Sequence, residues 1–227
     1  MNEFESDGSS DNEWDDRGDL AWNEFDWERY LREQDETIHR YLGFYETFRQ
    51  APDRIDRVAE QMGWDPPETA AESGAVAEDS ADAEPEDFIE SDEVYTLHKN
   101  PVFVATKAIY LSLKRPWELA AADKARLPAP LALAFLSSLH RGEENAVQAI
   151  HALDFGDFAM AISLFKRALS AVNSSLAFLN EHAAARYPAV GAFRADAMPR
   201  LFDLREVWLR VISECRQELN RPVDEES

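Results

Sequence analysis

The feature that most constrains the fold is an apolar pattern in the second half of the chain that repeats at alternating spacings of four and three residues. The pattern continues without interruption through eight residues: Phe158, Ile162, Phe165, Leu169, Val172, Leu176, Leu179 and Ala183. Such spacing places side chains on one face of an α-helix. At 1.5 Å per residue this helix, which we take as the longest, would extend roughly 40 Å. A helix of that length needs other helices to cover its apolar face.

The rest of the second half of the chain also predicts helices. Asn100 and Pro101 suit the N-cap and the first position of a helix, while Gly156 suits a turn and Asp157 the cap of the central helix. The helices predicted around the central one cover residues 102–114, 116–127, 130–142, 143–153 and 199–219. No segment alternates as a strand does. The sequence therefore predicts an all-α fold, in which residues 93–221 form a multi-helix bundle domain around a long central helix.

The start of the central helix resembles the second helix of a tetratricopeptide repeat. Glycine, aromatic, small and large residues stand at that family's spacing at Gly156, Phe158, Ala161, Ile162, Phe165, Ala168 and Leu169. The resemblance covers one unit, and no second copy lies 34 residues to either side, whereas a stable solenoid needs about three units. What it implies is a tightly packed helical hairpin, and no binding residues are carried over from the family.

Charge is distributed unevenly along the chain. Residues 1–92 hold 29 of the 45 acidic side chains and 7 of the 23 basic ones, so they account for the whole net charge of −22. Residues 93–227 hold 16 of each sign. This division predicts a neutral folded body that carries an acidic arm.

Two segments of the arm have the composition of disordered chain. Residues 1–20 contain eight carboxylates and one base, and residues 66–92 contain ten carboxylates, three prolines and no base. Such segments bury too little apolar surface to offset the entropy lost on ordering, and like charges extend a linker. We therefore predict a disordered acidic segment at 1–20, a disordered acidic linker at 66–92, and a disordered tail at 222–227.

Residues 21–65, between these segments, predict an aromatic amphipathic helix and a shorter helix. The first has its apolar face at Trp27, Leu31, Gln34, Ile38, Tyr41, Tyr45 and Phe48. It ends at Ala51 and Pro52, because proline disfavours helical backbone in the residue before it. The shorter helix starts at Asp53 and turns Ile55, Val58, Ala59 and Met62 inward, with Gly63 as its C-terminal cap. The aromatic face could pack on the bundle or on a partner.

Few residues suggest catalysis. Glu36 and His39 form the only Glu-x-x-His in the chain, whereas a di-iron bundle needs two such pairs and two more carboxylates. Arg32 and His39 fit the loose Arg-x(4–6)-His spacing of HEPN-type helical ribonucleases. At about 100° per residue, Glu36 and His39 point away from the apolar face, so we expect them to be exposed. Cys215 lies on the apolar stripe of the last helix and is expected in the core.

The sequence favours a non-catalytic helical interaction or adaptor module. Aromatic side chains among carboxylates suit a basic protein partner, because charge steers the encounter and aromatics anchor the complex. The residues predicted to contact that partner are Trp14, Trp22 and Phe25.

We expect no cofactor and no metal. Nucleic acid is not expected as a partner, since the acidic arm would repel its phosphate groups. A membrane is not expected either, because no apolar stretch reaches the ~20 residues of a membrane span. Because the first residues are acidic, unlike a signal peptide, we expect a cytoplasmic location. The alternative is a helical-bundle enzyme of carboxylate-metal or nuclease type. The oligomeric state stays open.

Overall fold

The computed structural model describes residues 22–64, 97–123, 127–182 and 187–221. Within these ranges the secondary structure is entirely helical, which confirms the all-α prediction. The helices are α1 Glu24–Thr47, α2 Arg54–Gln61, a short 3₁₀-helix Leu97–Lys99, α3 Pro101–Ala121, α4 Ala129–Asp154, α5 Phe158–His182 and α6 Pro188–Asn220. The segments predicted to be disordered, 1–20, 66–92 and 222–227, lie outside the described residues.

Local capping sets where several helices begin. The Asn23 side chain accepts hydrogen bonds from the backbone N–H groups of Phe25 and Asp26, at 2.8 and 3.2 Å, and the Asp26 carboxylate accepts from the Asn23 N–H in return. This capping box satisfies otherwise unpaired donors at the start of α1. The predicted caps are also present: the Asn100 side chain accepts from the Phe103 N–H at 3.1 Å, and that of Asp157 from the Met160 N–H at 2.9 Å.

Helices α3 to α6 form the bundle, in which α4 and α6 pack directly on α5. A short turn at residues 155–157 joins α4 and α5 into an antiparallel hairpin, α6 packs along α5, and α3 contacts both α4 and α6. One aromatic side chain from each of α3, α4, α5 and α6 meets at one end of the bundle: Trp117, Phe135, Phe178 and Phe193, with ring centroids 4.4–6.1 Å apart. On the outside of this core, α1 packs on α3.

Three predicted helix boundaries are wrong. Pro116, Gly142 and Pro199 lie inside the continuous helices α3, α4 and α6, and α6, with 33 residues, is longer than α5, with 25. An interior proline removes one backbone hydrogen bond at a cost of ~3 kcal/mol, but tertiary packing supplies most of the stability of a helix in a protein. Trp117, next to Pro116, is fully buried and donates its indole N–H to the Ala132 carbonyl at 3.0 Å.

Gly142 allows a close approach between two helices. A Cβ atom added there would overlap the hydroxyl oxygen of Tyr110 on α3. That tyrosine is fully buried and stacks on Trp208, with ring centroids 6.1 Å apart, so it has little room to move. The glycine therefore serves interhelical packing, and it does not end the helix.

We expect the Phe165→Ala substitution in α5 to destabilise the protein by about 3–5 kcal/mol, because this ring is fully buried and its loss leaves a cavity. Chemical denaturation measures the effect. Phe155→Ala is the matched control: its ring is 88% exposed, and we expect a change within ~0.5 kcal/mol. A loss below ~1 kcal/mol for Phe165→Ala would show that the α5 stripe is not core.

We expect two glycine-to-alanine substitutions in helix interiors to have opposite signs. Gly43→Ala in α1 meets open space and should stabilise the protein by ~0.5–1 kcal/mol through helix propensity. Gly142→Ala should instead destabilise it by ~1–3 kcal/mol, since the new methyl group overlaps Tyr110. Thermal and chemical unfolding of both variants would show the contrast, and a stabilising Gly142→Ala would contradict the close packing.

Candidate protein-interaction surface

The apolar stripe of α1 continues beyond the body of the protein. Ile38, Tyr41 and Tyr45 in the second half of the helix are at most 6% exposed, whereas Trp27 and Leu31 on the same face are 52% and 48% exposed. The body therefore covers only the second half of the stripe. We call residues 24–34 of α1, which include this exposed part of the stripe, the overhang.

Three aromatic rings cluster at the start of the overhang. The Trp22 ring lies edge-on to those of Trp27 and Tyr30, at centroid distances of 4.8 and 5.4 Å. Phe25 is 75% exposed and lies about 160° around the helix from Trp27, at 100° per residue. The structure thus places Trp22 in an aromatic cluster and leaves Phe25 apart from it, while Trp14 lies outside the described residues.

Trp27 and Tyr30 are not among the residues that the sequence predicts to contact a partner. Trp27 belongs to a stripe whose other half is buried, so periodicity alone assigns it to the core. Only the packing of α1 on the body shows where burial ends, near Ile38. The signal available in the sequence was the high density of carboxylates around the first part of the stripe.

Carboxylates border the exposed stripe on both sides. At 100° per residue, those nearest to it are Glu24, Glu28 and Asp35 along one edge and Asp26 and Glu33 along the other. The two bases of the overhang, Arg29 and Arg32, lie further round the helix and pair with Asp26 and Glu28 at 2.9 and 2.8 Å. The surface is therefore an apolar strip between two acidic borders.

Ion pairs of two buried arginines hold the other end of α1, and α2 with it, to α6. Arg54 of α2 and the Tyr45 hydroxyl both donate hydrogen bonds to the same oxygen of Asp203. Arg200 pairs with Glu46, with one contact at 2.5 Å. Both guanidinium groups also lie over the Tyr45 ring, at 5.0 and 5.6 Å from its centroid. We call this group of five side chains the clamp.

The clamp shields its two arginines and Asp203 from water, whereas the Glu46 side chain is 41% exposed. Arg54 and Arg200 are only 8% and 6% exposed. Burial, and next to it the charge of Asp203, raise the pKa of Tyr45 far above its usual range, so the phenol keeps the proton that it donates. Because a buried charge is costly unless it is paired, these contacts fix the orientation of α1 relative to the body.

A cavity of about 140 Å³ adjoins the clamp where Pro199 interrupts the hydrogen bonding of α6. Its lining includes three arginines, which could suggest an anion site. Each of them already pairs with a carboxylate, however: Arg49 with Asp196 at 3.2 Å, and Arg54 and Arg200 within the clamp. The arrangement balances its own charge, and we assign it a structural role.

A second buried ion group joins α3 to α4. Lys107 and Lys114 donate to the two oxygens of the Glu143 carboxylate, at 2.8 and 2.6 Å. Burial alone would raise the pKa of Glu143, but the two lysine hydrogen bonds outweigh it and hold the pKa below its usual value. The carboxylate is thus charged at neutral pH, and each of its oxygens already accepts a hydrogen bond from a lysine.

The residues considered for catalysis do not form a site. Glu36 and His39 are exposed, as expected, with His39 Nδ1 2.7 Å from the Asp35 carbonyl oxygen. Cys215 is buried, and burial raises the pKa of its thiol. In the described parts of the chain, no group of three or more His, Cys, Asp or Glu side chains could hold a metal ion. No described helix has the length and apolar character needed to cross a membrane.

The chain matches no family model, and neither curated proteins nor solved structures give a match to it. Evidence for its function therefore comes from its own side chains and their arrangement.

We expect Asp203→Ala to destabilise the protein by about 3 kcal/mol or more, because it leaves the buried Arg54 guanidinium without its carboxylate and the Tyr45 hydroxyl without its acceptor. Glu206→Ala, one turn further along α6, is the matched control. Glu206 pairs with Arg210 where both are about half exposed, so its loss should cost less than ~1 kcal/mol. Equal effects in urea denaturation would show that the clamp does not anchor α1.

Proposed function

We propose that this protein is a non-catalytic helical interaction module that captures a basic protein through its acidic, aromatic first segment. The overhang carries the proposal: a rigid helix presents Trp27 and Leu31 to solvent between two acidic borders. Isolated exposed apolar residues are common on protein surfaces, but adjacent ones with a polar rim mark interaction sites.

Charge supports a basic partner. The whole net charge of −22 belongs to residues 1–92, which include the overhang. An acidic field accelerates the encounter with a basic protein and slows that with nucleic acid or an anionic membrane surface. The aromatic side chains then supply the contacts that hold the complex, since charge at an interface rim mainly affects the association rate.

The body acts as the platform in this proposal. The clamp and the packing of α1 on α3 hold one half of α1, and the capping box at Asn23 holds the start of the other half. A surface that is ordered before binding loses less entropy when a partner arrives. We place the module in the cytoplasm, where a lone thiol such as that of Cys215 stays reduced.

We expect capture to depend on the exposed aromatics. In pull-downs from native extract, the intact protein should retain basic proteins at low salt and release them near 0.5 M salt, where the Debye length falls well below the ~8 Å of physiological conditions. The Trp22→Ala, Trp27→Ala pair should lose them, while Phe155→Ala, at an exposed ring on the body, should not.

Deleting residues 1–20 tests the contribution of Trp14 and of the acidic segment around it. The proposal fails if all variants retain the same partners at low salt, or if the retained proteins are not basic. Circular dichroism of each variant is the control that checks whether the helices remain intact.

A further inference from the structure

The exposed stripe of the overhang has the geometry of a helix-pairing surface. Trp27, Leu31 and Gln34 continue, at spacings of four and three, the line of Ile38 and Tyr41, which pack against the body. In a heptad, Leu31 and Ile38 then occupy a positions, and Trp27, Gln34 and Tyr41 occupy d positions. That alternation is the one by which two α-helices pack side by side.

The kind of segment that can cover this stripe is limited. A helix satisfies its backbone hydrogen bonds internally, so the overhang offers no strand edge to which an extended peptide could add. What it offers is a narrow apolar strip on a convex surface, about 16 Å long for 11 residues at 1.5 Å each. The partner segment that buries such a strip with regular side-chain interdigitation is another helix.

The borders of the strip determine the charge of that helix. Glu28 and Asp35 occupy e positions beside the seam, where coiled coils place the charges that select a partner. The bases Arg29 and Arg32 lie away from the seam and pair with Asp26 and Glu28, so Asp35 is the e-position carboxylate that pairs with no base of the described chain. Lysine or arginine residues beside the seam of the incoming helix would therefore meet carboxylates.

Charge also argues against the other occupants. A second copy of the chain would bring the same acidic borders, and like charges across a seam are unfavourable. The two long segments of this chain outside the described residues are no better suited, since residues 1–21 carry eight acids and one base, and residues 65–96 carry twelve acids and no base. The complementary occupant comes from another protein.

We infer that the partner contributes a basic amphipathic α-helix, which packs along the overhang with its apolar seam against Trp27 and Leu31 and its basic flanks beside Glu28 and Asp35. This inference rests on the proposed function, and it adds the secondary structure and the charge pattern of the segment that is recognised. The overhang is helical before binding, so most of the ordering occurs in the partner.

Two synthetic peptides and the full-length protein test the inference. The first peptide has 21 residues, with leucine at every a and d position and lysine or arginine elsewhere. The second has the same composition, with its leucines redistributed so that no helical stripe exists. By fluorescence anisotropy, we expect the first to bind at least ~10-fold more tightly than the second, which corresponds to 1.4 kcal/mol or more.

Variants of α1, in the overhang and directly after it, locate the binding. Trp27→Ala combined with Leu31→Ala should weaken binding of the first peptide at least ~10-fold. Asp35→Lys, at the border of the stripe, should weaken it several-fold more than Glu36→Lys, which makes the same charge change on the far side of the helix. Trp27 and Leu31 form the exposed stripe, Asp35 adjoins it and Glu36 lies on the far side of the helix. All four are exposed, so circular dichroism should show unchanged helicity.

Each other result overturns the inference in a recognisable way. Equal binding of the two peptides shows capture by charge alone, which leaves the proposed function in place without helix pairing. If the Trp27→Ala, Leu31→Ala pair leaves the affinity of the first peptide unchanged, or if Asp35→Lys and Glu36→Lys weaken it equally, the peptide binds outside the overhang. If neither peptide binds, helix pairing is wrong, and the salt-dependent pull-down decides separately on the proposed function. A dimer in sedimentation that Trp27→Ala dissociates makes a second copy the occupant.

Discussion

The carboxylate of Asp203 joins parts of the protein that lie about 150 residues apart in sequence. It accepts hydrogen bonds from Tyr45 on α1 and from Arg54 on α2, both almost fully buried. A paired buried charge contributes modestly to net stability, but removing one partner of the pair destabilises a protein strongly, because the other charge stays buried and unpaired. The attachment of α1 and α2 to α6 therefore depends on Asp203. Since a helix is stiff over a few turns, fixing the half of α1 around Tyr45 also fixes the direction of the overhang.

The same apolar stripe serves two purposes along α1. Its second half, from Ile38 onwards, is covered by the body and holds the helix in place. Its first half, at Trp27 and Leu31, continues at the same spacing into solvent. A chain that needed α1 only for its own core would gain little from extending the stripe two turns past that core, since exposed apolar surface is unfavourable. Under the proposed function, a bound partner would cover the exposed half.

How much the sequence predicts depends on whether the signal is local. Periodicity predicted the helices and their apolar faces, and Asn100, Asp157 and Gly63 marked ends correctly because caps depend on neighbouring residues. The breaks placed at Pro116 and Gly142 were wrong, because packing against other helices overrode local preference. The clamp could not be predicted, since its partners are distant in sequence. The exposure of Trp27 was missed for the same reason: where burial stops is a property of the whole fold.

The free energies involved indicate what the overhang and the acidic charge would each contribute to binding. Fully burying an apolar side chain yields ~1.5–3 kcal/mol, and Trp27 and Leu31 are already half covered, so the strip supplies only a few kcal/mol. Association costs an estimated ~4–15 kcal/mol in lost translational and rotational freedom. Trp27 and Leu31 alone could not hold a partner, so contacts with the neighbouring rings of Trp22 and Tyr30 and with the rest of the acidic segment would have to supply the remaining favourable energy. Apolar contacts would then hold the partner and set its orientation, while the carboxylates would mainly accelerate the encounter, which suits a rapidly reversible complex.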